Sequence, residues 1–341
     1  MTDESGLELL AKRLDMIPGC QRQLFDQIGT AQPVTTPIVA TGLGSSEAHA
    51  RYLVGLFQRY GSVPARFVRM ADFVAEPVSR DETLVVFSQG LSRNTQLVFQ
   101  TRHQFRRLIL FTSATVNGLM AAGKPERAEL LSLLISEGAE VIRFPIEDEY
   151  TILIRVIGPA CGFLASRLWF QSIPSNRLPS FSLVDWERTI SSVEPSTKWF
   201  LEHANALADG FIILASGILG EASYNLISKF VEGLFWPAPT LLDYLSFAHG
   251  PFQQLAHRPR PVVMLVGDSE TERDLARRAR TMCLSINVPT LEIPIPGCPT
   301  LAPLVAEFLF NPIILALAQE LAVQQINWPG KGLDSPIYGY P

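Results

Sequence analysis

A chain of 341 residues is long enough for two ordinary domains, each with its own core. Hydrophobic residues make up 47% and charged residues 18%, an apolar balance that predicts burial against a second subunit as well as internally. The net charge of -5 argues against a nucleic-acid partner, whose phosphates need a basic face.

The first thirty residues read as an amphipathic helix ending near Gly29. They begin MTDESGLELL, acidic where a secretory leader needs basic residues, so a cytoplasmic protein is expected. The cysteines, Cys20, Cys161, Cys283 and Cys298, form no Cys-x-x-Cys pair and no metal spacing with histidine, which fits a reducing compartment. Segment 37–61, PIVATGLGSSEAHARYLVGLFQRYG, runs from a short β-branched strand through a Gly/Ser turn into a helical apolar stripe. The strand Leu84-Val-Val-Phe leads into the polar loop Ser88-Gln-Gly-Leu-Ser-Arg-Asn-Thr, and further apolar runs begin at Leu108 and Val141. Segment 151–170, TILIRVIGPACGFLASRLWF, is apolar enough to suggest a membrane span. Arg155 and Arg167 interrupt it, however, and a buried core helix is the better reading.

A second pass of the same pattern starts at 210–235, GFIILASGILGEASYNLISKFVEGLF, and continues with runs at Val262 and Thr290. Paired with the first pass, the Leu108 run answers the Val262 run and the Val141 run answers the Thr290 run. Continuous apolar strands alternating with helices predict an α/β protein of two tandem doubly wound parallel-sheet domains, a duplicated flavodoxin-like αβα sandwich. The expected boundaries are a helical extension at 1–30, domain one at 31–170, a Ser/Pro-rich linker at 171–195, and domain two with its tail at 196–341. Ligands of such sheets sit beyond the carboxyl ends of strands, which marks the loops near 42–46, 88–95, 147–151 and 216–221.

Ser45 and Ser46, at a helix start, make either a ready anion site or a tight βα turn with Ser as N-cap, and a nicotinamide cofactor is not expected because Glu47 stands where a dinucleotide fingerprint needs its third glycine. Ser88, Gln89, Ser92 and Thr95 form a second hydroxyl-rich loop suited to a phosphate or sugar. In the helix 221–235, Leu226, Ile227, Phe230, Val231 and Leu234 line one side, and Asn225, Lys229 and Glu232 are expected on a solvated face. His249 follows in Ala-His-Gly-Pro, a constrained turn, and an imidazole there can move a proton between a sugar's ring oxygen and its anomeric hydroxyl. A carboxylate such as Glu232 can then shuttle a proton between C1 and C2. No zinc pattern or Gly-x-Ser-x-Gly elbow occurs, and neither metal nor cofactor is expected.

From about Pro33 onward these motifs, in this order, resemble the double sugar-isomerase (SIS) domain family, most closely the isomerase half of the glutamine–fructose-6-phosphate aminotransferases. The resemblance implies that Ser46 contacts a sugar phosphate and that 87–95 is the phosphate loop, with Gly90 on the family's glycine and Ser92 on its threonine. It implies that Glu232 is the base for C1–C2 proton transfer, Lys229 its neighbouring lysine, and His249 a ring-opening residue reaching a partner subunit's site in a homodimer. Three departures stand out. Without a gap, Phe87, Ser88 and Gln89 fall on the family's Ser-Gln-Ser; a one-residue deletion restores Ser-Gln. Glu147, Asp148 and Glu149 occupy a loop that in the family carries small and hydroxyl residues, and their charge would repel a phosphate unless turned away. The family's terminal lysine falls on Asp334, with Lys331 the nearby alternative. No glutaminase segment is seen, so the aminotransferase reaction is not expected. The expected ligand is a sugar phosphate or amino-sugar phosphate, turned over by an isomerase or deaminase. A non-catalytic sensor and a protein for an unphosphorylated, cationic ligand are the other readings.

Overall fold

The computed structural model describes residues 5–75, 81–147, 151–174 and 176–338. In chain order it comprises α1 (Gly6–Gln27), β1 (Ile38–Thr41), α2 (Ser45–Tyr60), β2 (Ala65–Phe67), α3 (Asp72–Ala75), β3 (Thr83–Phe87), α4 (Arg93–Gln100), β4 (Arg107–Thr112), α5 (Val116–Ala121), α6 (Pro125–Ser136), β5 (Glu140–Arg143) and α7 (Ile157–Ser172). There follow α8 (Leu183–Ser191), α9 (Thr197–Glu202), α10 (Ala204–Ala208), β6 (Ile212–Leu214), α11 (Gly217–Ala222), α12 (Tyr224–Leu234), β7 (Thr240–Leu242), α13 (Tyr244–Phe247), α14 (Pro251–His257), β8 (Val262–Val266), α15 (Glu270–Ser285), β9 (Thr290–Pro294), α16 (Ala302–Glu320) and α17 (Ser335–Tyr338). The chain divides into two units. The first gathers Met16–Asp148, Ile157–Phe181 and Asn327–Pro341; the second gathers Met1–Asp15, Glu149–Val156 and Ser182–Ile326.

In the first unit five parallel strands lie in the order β2-β1-β3-β4-β5. Every residue of β1 and β3 is buried, as expected of strands covered on both faces. Val39, Leu84, Val86 and Leu110 face one layer, with Val98, Phe99, Leu131 and Leu134 from α4 and α6. The alternate residues face α2 and α7, where Phe87 stacks on Phe111 at 4.4 Å and Phe111 meets Trp169 edge-on at 5.5 Å. The second unit repeats the plan with four parallel strands, β7-β6-β8-β9. Ile212, Leu214, Val262 and Met264 pack under α13, α14 and α15, while Phe200, Phe211, Phe230 and Phe310 fill the other side.

Two sequence expectations change. The helix predicted across 151–170 begins only at Ile157, and residues 151–156 belong to the second unit. From Ile157 to Phe170 α7 is wholly buried, and Arg167 is accommodated by donating to Gln171 Oε1 (2.7 Å) and the Pro179 carbonyl (2.8 Å). The phase of the repeat also shifts by one strand. β8 lies beside β6 as β3 lies beside β1, so the Val262 run answers the Thr83 strand rather than the Leu108 run. Helix α16 is long and apolar enough to cross a membrane by composition, but it is mostly buried, as a core helix is.

Candidate functional site

Both sheets reverse their chain order beside their first strand, and in the first unit the loops after β1 and β3 flank that reversal. Gly42 is required by close approach: a Cβ there would lie 2.3 Å from the Ser46 carbonyl oxygen. Gly44 turns the chain at φ 61° into α2. The hydroxyls of Ser45 and Ser46 bond to no other group among the described residues, and the N–H groups of 42–45 meet no protein acceptor.

The loop after β3 is braced from outside. The Gln89 carbonyl accepts from Ser113 N (3.0 Å), Ser113 Oγ (2.8 Å) and Thr112 Oγ1 (3.0 Å), and the Gly90 carbonyl accepts from Arg127 at 3.0 Å. Leu91, fully buried, is held at φ 52°, a left-handed conformation that leucine rarely adopts and that costs on the order of 1–3 kcal/mol. With the first two carbonyls occupied, the N–H groups of Gln89, Gly90, Leu91 and Ser92 meet no acceptor among the described residues. Ser88 Oγ and Thr95 Oγ1 lie 3.2 Å apart, both buried, and Thr95 also donates to the Ser92 carbonyl. Ser88 and Thr95 therefore stiffen the loop, whereas the side chains of Gln89 and Ser92 bond to nothing among the described residues. Phe87 belongs to β3 and its ring is in the core, so the loop proper begins at Ser88.

The acidic stretch resolves in part. Glu147 is buried, and its two carboxylate oxygens accept the N–H groups of Ile157 and of Gly158 (2.9 Å for the latter). The carboxylate thus caps α7, satisfying orphan donors and the positive end of the helix dipole. Asp148 and Glu149 lie outside the described residues. Nearby, Cys161 hydrogen-bonds Cys20, which holds the Cys20 thiol down at about 7 against the opposing effects of burial and of Glu147. The same bond and burial push Cys161 well above the usual thiol range.

In the second unit, the expectation of a solvated Asn225/Lys229 face is corrected. Both side chains are buried, and Val231, assigned to the apolar side, is exposed. The reason is Glu307, an acid in the apolar helix α16. Lys229 Nζ sits 2.9 Å from Glu307 Oε2 and donates to the Arg155 carbonyl at 3.4 Å, while Asn225 donates to Glu307 Oε1. Asn311, one turn along α16, keeps its Oδ1 buried without a hydrogen-bond partner among the described residues. Lys229 is therefore paired with Glu307 and not with Glu232. Glu232 is half-buried at the last turn of α12, where Gln325 Nε2 donates to the carbonyls of Glu232 (3.0 Å) and Gly233 (2.9 Å). His249 is exposed, and its ring makes no hydrogen bond among the described residues. Its turn is set by Asp243, whose carboxylate accepts from Leu245 N (2.9 Å) and Ser246 N (3.0 Å), and by Gly250 at φ 107°. Those bonds, chiefly with Ser246, hold the Asp243 carboxyl below its usual range. Lys331, in the first unit, is exposed, with its ammonium 4.2 Å from the centre of the Trp328 ring.

Sequence reasoning did not single out Glu307, Gln325 or Arg127. Glu307 and Asn311 were detectable as polar residues at i, i+4 spacing inside an otherwise apolar helix.

No protein-family model and no curated protein matches the sequence. The fold does match solved structures. The C-terminal domain of glucosamine-fructose-6-phosphate aminotransferase from Francisella tularensis aligns over 92% of this chain and 95% of its own, at TM-score 0.68 and 12% identity. Glucosamine-6-phosphate deaminase from Thermotoga maritima aligns over 94% and 97%, at TM-score 0.66 and 15% identity. Tagatose-6-phosphate ketose/aldose isomerase from Escherichia coli aligns over 92% and 89%, at TM-score 0.55 and 14% identity. The resemblance read from the motifs thus extends to the fold of nearly the whole chain.

Proposed function

We propose that this protein binds a sugar phosphate or amino-sugar phosphate and acts on it as an isomerase or deaminase. The observation that carries the reading is the loop 88–92, whose outward-braced carbonyls and strained Leu91 leave a run of N–H donors free at the sheet's reversal point. Such a run is a nest for phosphate oxygens, and the uncommitted hydroxyls of Ser45, Ser46 and Ser92 and the Gln89 amide add to it. His249 would move a proton from the anomeric hydroxyl to O5 as the ring opens. Glu232 would then take the C2 proton, leaving an enediolate, and return it to C1 as the 2-hydroxyl proton passes to O1. The exposure of His249 suits service in a second subunit's site, in a homodimer. Lys229, neutralised by Glu307, is assigned a supporting role on α12.

A second reading is favoured by that same buried pair. If Lys229 is purely structural, a protein that binds sugar phosphates without turning them over retains everything seen in the 88–92 loop. Hydrogen exchange at sugar C2 in deuterated water separates the two. Exchange in the wild type that vanishes in Glu232→Gln, with hexose-phosphate binding intact, supports the enzyme; undiminished exchange in that variant removes Glu232 from the reaction. Binding without any exchange leaves the sensor. A thermal-shift comparison of hexose phosphates with their unphosphorylated parents tests the phosphate nest itself, since saturating ligand at a hundred times Kd raises stability by about 2.7 kcal/mol.

A further inference from the structure

A polar cleft of about 470 Å³ opens at the opposite edge of the first sheet. Its walls come from the amino ends of the strands: Thr35 and Thr36 just before β1, Thr83 opening β3, Arg106 and Arg107 at the start of β4, and Glu140 opening β5. The loops 42–46 and 88–92 lie at the carboxyl ends of these same parallel strands, so the two places are separate. The charge in the cleft is not balanced. Glu140 is committed on both oxygens, accepting from the Trp169 indole N–H at 2.9 Å and from Arg107, which also donates to the Pro33 carbonyl at 3.1 Å. Arg106 is exposed, and its guanidinium makes no hydrogen bond or ion pair among the described residues. The hydroxyls of Thr36 and Thr83 lie 2.7 Å apart and share one proton, leaving the other hydroxyl hydrogen available. The cleft thus offers one uncompensated guanidinium beside hydroxyl donors and acceptors, in a volume within the roughly 300–1,000 Å³ usual for small-molecule sites.

We propose that this cleft is a second binding site, for a small polyhydroxylated anion, with Arg106 on the anionic group and the Thr36–Thr83 pair on ligand hydroxyls. The anion is a sugar phosphate or a sugar acid; both present one anionic group on a polyol of this size. The inference does not rest on the proposed function, because none of its residues belongs to the carboxyl-end loops.

The test is isothermal titration of the full chain with glucose 6-phosphate, gluconate, inorganic phosphate and, as a neutral control, glucose. It compares the wild type with Arg106→Glu and with the double variant Ser46→Ala/Ser92→Ala. The Arg106 side chain bonds to nothing among the described residues, so Arg106→Glu should keep the circular dichroism and melting temperature of the wild type. One class of sites should weaken about tenfold or more in Arg106→Glu, the size expected for losing a charged hydrogen bond. The same class should be unchanged in Ser46→Ala/Ser92→Ala. Binding of glucose 6-phosphate alone identifies a phosphoryl group, and matching binding of gluconate identifies a carboxylate; either supports the site. Anion isotherms that Arg106→Glu leaves untouched overturn it, as does binding lost only in the serine variant. Glucose bound as tightly as the anions also overturns it, because Arg106 then has no part. Failure of the carboxyl-end loops appears separately, as anion binding that the serine variant never alters.

Discussion

Removing Glu307 tests the central correction to the sequence reading. Lys229 and Glu307 side chains are 1% and 3% exposed and 2.9 Å apart, so Glu307→Leu strands an ammonium in the core with only the Arg155 carbonyl at 3.4 Å. Breaking a buried pair from one side typically costs about 3–5 kcal/mol, because the remaining charge is left desolvated. For a unit of this size each kcal/mol moves the midpoint by about 2–4 °C, so a drop of roughly 6 to 20 °C is expected. Lys229→Met should fall in the same range. The double variant, Lys229→Met/Glu307→Leu, removes both charges and should recover most of the loss. The shortfall is set by Asn225, whose amide loses its acceptor and costs about 1 kcal/mol. Differential scanning calorimetry on the four proteins gives the coupling directly. A single variant melting within about 2 °C of the wild type would refute the buried pair, and so would a double variant no more stable than the singles. Measured on the same proteins, C2 exchange retained by the double variant means that Lys229 supports α12 without touching substrate.

Asp243→Ala should cost about 1 kcal/mol at neutral pH by removing the cap of α13, and should displace the His249 turn. The folded carboxyl lies below its ordinary value, so this contribution is complete above the unfolded pKa, ~3.9, and fades as pH falls through the folded one. Urea titrations should therefore show a larger difference between wild type and variant at pH 7 than at pH 3. Iodoacetamide should label Cys20 with a half-maximal rate near pH 7, while Cys283, pushed up to about 11 by burial, stays unmodified in peptide maps. In Cys161→Ala the Cys20 midpoint should rise; an unchanged midpoint would dissociate it from the thiol pair. Gly42→Ala should disturb the first turn of α2 and weaken hexose-phosphate binding by about tenfold or more in titration calorimetry, since the added methyl meets backbone it cannot displace.

The strands that sequence reveals are those buried on both faces. β1, β3, β6 and β8 read as unbroken apolar runs because a parallel sheet covered by helices demands it. The edge strands β2 and β7 have three residues each, partly exposed, and carry no such pattern. Missing both leaves the phase unaltered; the pairing slipped by one strand because the first sheet carries a fifth strand, β5, that has no counterpart in the four-stranded second sheet. The Gly/Ser turns were legible as hydroxyl-rich loops after strands, but not the division of labour within them. Which hydroxyls brace and which remain available depends on contacts such as Ser88 with Thr95. Helical periodicity placed Lys229 and Asn225 on a polar face, and the face is polar. What periodicity could not supply was the acid from a helix some eighty residues away that makes such a face stable inside the core.

That missing partner also changes what the Lys-x-x-Glu motif means. In sequence, Lys229 and Glu232 look like one functional pair, a cation tuning a base one turn away. In the structure the cation is neutralised by Glu307, so Glu232 is answerable to its own surroundings, the last turn of α12 clamped by Gln325. Gly233 tightens that clamp, because a Cβ there would come within 2.6 Å of Ile314 Cγ2, and Gln325 Oε1 also receives the Ile154 N–H at 3.2 Å. Glu232, the base of the proposed reaction, should keep its place when Lys229 and Glu307 are removed together and lose it when Gln325 cannot donate. Gln325→Leu should therefore lower C2 exchange more than the double variant does, with hexose-phosphate binding to the first unit unchanged. Exchange lost equally in the two would return Lys229 to the reaction.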